Sequence, residues 1–143
     1  ATPADATKAR EDLDKTVDAM RVDARATKAD ILGKTLALDT TQAAAFWPVY
    51  KQYEAELAIV NNDRVAIIQD LGEHFSSLND AKAAGLIDRQ LANQEKSLAL
   101  VKKYKDEFLK VLPAKTVARF LQVDSRLNVL LDLAAASEIP LVQ

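Results

Sequence analysis

Residues 38–78 read LDTTQAAAFWPVYKQYEAELAIVNNDRVAIIQDLGEHFSSL, and this stretch decides the fold. Asp39 stands where a side-chain oxygen can accept from the free N–H groups of a first helical turn, and Gln42, three residues on, can reach back. An acidic cap also suits the positive end of the helix dipole. From there Ala43, Phe46, Tyr50, Tyr53, Leu57, Val60, Ile67, Leu71, Phe75 and Leu78 follow spacings of three and four, the period of one helical face. About 38 residues of helix would span ~57 Å, longer than a compact globule needs. Pro48 removes one backbone donor inside it, which predicts a kink near 44–48, and Gly72 is a second soft point.

The flanking sequence obeys the same period. Only three glycines and four prolines occur in 143 residues, and Pro3 and Pro140 lie near the ends, so long helices joined by short turns are expected. No stretch alternates with period two, which argues against strands. A first helix is expected from about Asp5 to Leu32, stopped by Gly33, with a narrow apolar stripe of Leu13, Val17, Met20, Ala24, Thr27 and Ile31. Asn79-Asp80 restarts the chain into a third helix reaching Leu112, whose apolar face is read as Ala84, Ile87, Leu91, Leu98, Val101, Tyr104, Phe108 and Leu112. Pro113 suits the first turn of a fourth helix, with Val117, Phe120, Leu121, Leu127, Leu130, Leu131 and Ala134 on its buried side. Ile139-Pro140 ends it, before Leu141 and Val142.

The reading is therefore one all-α domain, a long antiparallel helical hairpin with flanking helices and no β-sheet. Residues 1–37 form the first helix and linker, 38–78 the second helix and 79–112 the third. Residues 113–137 form the fourth helix and 138–143 a tail. Two long helices with narrow stripes cannot cover each other completely. The remaining apolar surface must meet the flanking helices, a second copy of the chain, or a client.

Composition narrows the function. With 49% hydrophobic and 28% charged residues the chain is globular, and its net charge of −2 gives no basic excess for nucleic acid. The basic run Lys102, Lys103, Lys105, Lys110, Lys115 and Arg119 is interrupted by Asp106 and Glu107 and reads as a solvated face. No apolar run approaches the ~20 residues that cross a bilayer. Cysteine is absent, which excludes thiolate ligands, disulfides and cysteine nucleophiles. His74 is the only histidine and Met20 the only methionine, too few to build a metal site. Acidic pairs such as Asp14 and Asp18 lack the glycine-containing loop of a calcium site. No serine sits in a nucleophile elbow, and no glycine loop cradles a phosphate. Neither catalysis nor a cofactor is expected.

Candidate binding residues come from the aromatic and basic positions. Arg64 falls where the stripe Leu57, Val60, Ile67, Leu71 calls for an apolar residue, as a snorkelling or paired cation or as a cation on a binding surface. Phe46, Trp47, Tyr50 and Tyr53 are dense enough for a packing node or a partner hot spot. Trp47, Tyr53, Arg64, Lys102 and Lys105 are taken as the candidate partner-binding surface.

The segment Leu38-Asp39-Thr40-Thr41-Gln42 resembles the LTxxQ motif of the bacterial Spy/CpxP-like periplasmic family, with Asp39 in place of the motif's threonine. Leu112-Pro113-Ala114-Lys115-Thr116, followed by Val117-Ala118-Arg119-Phe120, stands where a second motif belongs but lacks its threonine cap and glutamine. FWPVYKQYEAEL, VLPAKTVARFLQ and ASEIPLV are similar to an uncharacterised proteobacterial branch of exported helical proteins, over about residues 38 to 142. The resemblance implies a periplasmic location after removal of a signal peptide, consistent with the start Ala1-Thr2-Pro3, and a homodimer of bent hairpins forming a shallow cradle. It further implies an ATP-independent chaperone that binds unfolded clients, or else a CpxP-like regulatory adaptor on an envelope stress sensor. Metal-responsive relatives use His-, Cys- or Met-rich sites, which this chain lacks, so a metal-responsive role is a minor alternative.

Overall fold

The computed structural model describes the backbone of residues 2–136; within that range the side chains of residues 6, 9, 10, 12–14, 16–24 and 131–136 lie outside the description. The expected tail of Ile139, Pro140, Leu141 and Val142 falls outside the described residues as well. The described chain is all-α, built from α1 (Pro3–Leu36), α2 (Thr40–Glu73), α3 (Asp80–Leu109) and α4 (Ala114–Ala136). It divides into two compact units, residues 1–37 and residues 38–143.

The first unit is α1. Thr2 caps it: Thr2 Oγ1 accepts from the Asp5 amide at 3.2 Å, while the Thr2 amide donates to Asp5 Oδ2 at 3.2 Å. The Thr2 hydroxyl also donates to Asp5 Oδ2 at 2.8 Å, and this bond, with the one from the Thr2 amide, favours the ionised carboxyl and holds Asp5 below its usual range. Gly33 does not stop the helix. It continues to Leu36 and turns out at Ala37, whose φ of 47° is left-handed. Gly33 costs helix stability without forbidding the conformation, so the stop moves to the residue that takes the left-handed cap. Leu32 and Leu36 are buried on one face of this last stretch.

The second unit is a hairpin of α2 and α3 followed by α4. α2 starts as its sequence predicts. Asp39 Oδ1 accepts from the Gln42 amide at 2.7 Å, and the Asp39 amide donates to Gln42 Oε1 at 3.2 Å. The helix runs without interruption through Pro48. It ends at Glu73, earlier than the expected boundary near Leu78. A single 3₁₀ turn at Phe75–Ser77 takes up the remainder. His74 closes α2, its amide donating to the Asp70 carbonyl at 3.1 Å. Asn79 then caps α3 by accepting from the Lys82 amide at 2.9 Å. Pro113 precedes α4, and its carbonyl accepts from the Thr116 and Val117 amides at 3.0 and 3.1 Å.

The core of this unit is an aromatic node near the open end of the hairpin. Phe46 and Tyr53 of α2, Phe108 of α3 and Phe120 of α4 are fully buried together. Ring centroids lie 4.6 Å apart for Phe108–Phe120, 5.3 Å for Phe46–Phe108 and 5.4 Å for Tyr53–Tyr104. Offset and edge-on pairs at such distances add about 0.5–1.5 kcal/mol each beyond the burial of their area. Asp124 of α4 is buried beside the node, and Tyr53 Oη donates to its Oδ2 at 2.7 Å. Asn128 Nδ2 donates to the same oxygen at 3.3 Å.

Candidate functional site

The residues read from sequence as a binding surface divide between the core and the surface. Tyr53 is a core residue, only 1% exposed, and its hydroxyl is spent on Asp124. Its place in the surface set is corrected, because the α2 face that carries it is the face that packs. Burial raises the phenol pKa of Tyr53, and the Asp124 carboxylate raises it further. Tyr50 is pushed up chiefly by burial, with Glu54 and Asp124 adding to it. Trp47 is half-buried, edge-on to Phe46 at 5.0 Å and to Tyr50 at 5.3 Å, so it belongs to the rim of the node. Arg64 is half-buried and its Nη2 donates to Asn61 Oδ1 at 3.1 Å, one turn back on its own helix. Lys102 and Lys105 are exposed, and Lys105 lies 3.4 Å from Asp106. Leu38, Asp39 and Gln42 serve as the helix start, with Leu38 half-buried. Asp14, Asp18 and Met20 have side chains outside the described residues.

The third helix shows what sequence reading missed. The residues of α3 turned inward are Ala83, Leu86, Asn93, Ser97, Leu100 and Tyr104, each buried or half-buried. Asn93 is 2% exposed, and its Nδ2 donates to the Val60 carbonyl at 2.8 Å and to Asp63 Oδ2 at 3.3 Å. The face that the sequence suggests as core lies on a neighbouring row, advanced by one residue or about 100° around the helix, and much of it is exposed. Ile87, Leu91 and Leu98 are 56%, 53% and 56% exposed. Only the lower part of the expected face, Tyr104, Phe108 and Leu112, is buried. A cue was present: Leu86 and Leu100 mark a second apolar row beside Ile87, Leu91 and Leu98, and one partner helix can cover only one of them.

Ion pairs hold the other flank of the hairpin. Arg89 of α3 pairs with Asp70 of α2. Lys103 Nζ reaches Glu56 Oε1 and Oε2 at 2.9 and 3.1 Å and lies 5.2 Å from the centroid of the Tyr104 ring. The Lys103 hydrogen bond, helped by Tyr104, keeps the Glu56 carboxyl below its usual range. Tyr104 is pushed up to about 12, mainly by burial and then by Glu56 and Glu107. The polar flank is thus internally satisfied, whereas the Ile87–Leu91–Leu98 row faces solvent.

Near the hairpin tip, Asp70, His74, Leu78, Lys82, Gly85, Leu86 and Arg89 line an open cleft of about 320 Å³. His74 is exposed, with Nδ1 3.0 Å from the Asp70 carbonyl. Among the described residues no three His, Asp or Glu side chains are grouped to hold a metal ion, and no helix is long and apolar enough to cross a membrane. No family model matches this chain, nor does any curated protein or solved structure.

Proposed function

We propose that this chain is a non-enzymatic, periplasmic protein-binding module that holds exposed segments of client proteins on its long helices, as Spy-like chaperones do. One observation carries the reading: three large aliphatic side chains, Ile87, Leu91 and Leu98, stand in line on α3 with more than half of each in solvent. Large aliphatic side chains aligned on one exposed helix face, here on either side of Gln94, point to a binding role more than scattered single residues do. The resemblance of Leu38–Gln42 to the periplasmic LTxxQ motif supports the location and the chaperone class.

The chemistry of holding follows from the row. Each half-exposed aliphatic residue contributes weak, non-directional contact at about 25 cal/mol per Å² of apolar area removed from water. Three such residues bind an extended or helical segment without selecting its sequence. Lys102 and Lys105, exposed just beyond the row, attract acidic segments over about a Debye length. Binding of this type releases its client readily, which a protein without a nucleotide-driven cycle requires.

The test is suppression of aggregation. Equimolar protein should slow the aggregation of reduced, unfolded α-lactalbumin, and Leu91→Glu with Leu98→Glu should abolish the effect. Unchanged aggregation across several unfolded clients and salt concentrations would overturn the assignment.

A further inference from the structure

Lys82, Gly85, Leu86 and Arg89 of α3 lie three and four residues apart and so share one face of the helix. Facing them are Asp70 and His74, one turn apart at the end of α2, and Leu78, just past the 3₁₀ turn. Together they line the cleft of about 320 Å³ at the hairpin tip. Ile87, Leu91 and Leu98 take no part in it, so its use is independent of the function proposed above.

The lining combines cations with aliphatic side chains. Arg89 spends one nitrogen, Nη1, on Asp70, which holds the guanidinium in place and balances its charge. Lys82 adds a second cation, whose ammonium has no partner among the described residues. The lining therefore carries one net positive charge, in a chain whose net charge is −2. Leu78 and Leu86, both half-buried, supply the apolar part. The His74 ring is fixed as one wall by donating from Nδ1 to the Asp70 carbonyl at 3.0 Å.

Gly85 keeps the cleft open. Its φ is not left-handed, and a Cβ placed there meets nothing within 4 Å. Neither backbone conformation nor close packing asks for glycine at this position, although glycine lowers helix stability. Its missing side chain leaves room between the two walls.

Size and chemistry choose the occupant. At ~30 Å³ for each water-sized group, the space holds about ten of them. The walls are helical, with backbone groups bonded inside their own helices, so an extended peptide finds no row of amides and carbonyls to pair with. A compact polyanion would leave the leucines unused. An unbranched aliphatic chain ending in a carboxylate uses both parts. Its head meets Lys82 and the remaining guanidinium donors of Arg89, and its chain lies along Leu78 and Leu86. We propose that this cleft binds a medium-chain carboxylate of about ten carbons.

Isothermal titration calorimetry of the full chain with sodium decanoate, kept below its micellar range, tests it. Decanoate should bind one to one with a dissociation constant on the order of 100 μM. Decyltrimethylammonium, with the opposite charge on the same chain, should bind at least about tenfold more weakly, and acetate, a head without a chain, should give no binding heat. Lys82→Gln should weaken decanoate about threefold at unchanged helix content. Gly85→Leu, which fills the space with a good helix former, should abolish binding. The Leu91→Glu, Leu98→Glu variant should bind decanoate as the parent does. No binding of decanoate, equal affinity for the cation or for acetate, unchanged affinity in either cleft variant, or loss of binding in the double-glutamate variant would each overturn the assignment.

Discussion

Tyr53 and Asp124 form a demanding contact, since a carboxyl group that is 2% exposed must find its partners within the protein. The phenol supplies one of its bonds at 2.7 Å. Tyr53→Phe keeps the ring in the aromatic node and removes only that donor, so the loss should be about 1–3 kcal/mol of unfolding free energy, read from urea titration. The tyrosines also set a pH limit. An unfolded phenol loses its proton near pH 10, whereas Tyr104 in the folded chain holds its proton to about 12 and Tyr50 and Tyr53 are likewise raised. The unfolded state therefore deprotonates first. Stability is complete below pH ~10 and falls as pH rises toward about 12, with helix content lost as tyrosinate absorbance appears. Tyrosines that titrate near pH 10 while the helices stay intact would disprove the buried node.

Caps and glycines decide where each element begins and ends, and here the sequence was unevenly legible. The start of α2 was readable because Asp39 and Gln42 act through local bonds alone, three residues apart. Asp39→Ala should cost about 1 kcal/mol, measured as a shift in the urea midpoint. The inward face of α2 was also readable, since Phe46, Tyr50, Tyr53, Leu57 and Ile67 are both apolar and buried. The end of α1 was not. Gly33 looked like the terminator, yet the left-handed residue is Ala37, a choice set by where the chain must turn rather than by propensity. Ala37→Gly should relieve that strain and stabilise the protein by about 0.5–1 kcal/mol. Gly85→Ala should stabilise by a similar amount, because a methyl group there meets nothing within 4 Å; a lowered thermal midpoint for either variant would contradict the backbone described. The phase of α3 was hidden for another reason. Hydrophobicity marks which side chains gain from burial, not which receive a partner, and the inward row contains Asn93 and Ser97 while the outward one contains Ile87, Leu91 and Leu98.

For the whole molecule, that mismatch separates stability from adhesion. Leu57 of α2 is buried, so Leu57→Ala should destabilise by about 2–5 kcal/mol through lost contact and the cavity left behind. Leu91 and Leu98 have the same chemistry and lie more than half in solvent, so their replacement by glutamate should leave the unfolding free energy, read from urea titration, within about 0.5 kcal/mol of the parent. Holding of an unfolded client should respond in the opposite order. Leu57→Ala, assayed well below its melting temperature, should retain it, and the double-glutamate variant should lose it. Salt gives an independent axis: apolar contacts survive it, whereas steering by Lys102 and Lys105 is screened. Raising ionic strength should therefore slow capture of an acidic client while leaving the final bound fraction largely unchanged. If client capture instead tracked the unfolding midpoint across these variants, or vanished at high salt, adhesion would reside in unfolded chains or in charge, and the α3 row would have no part in it.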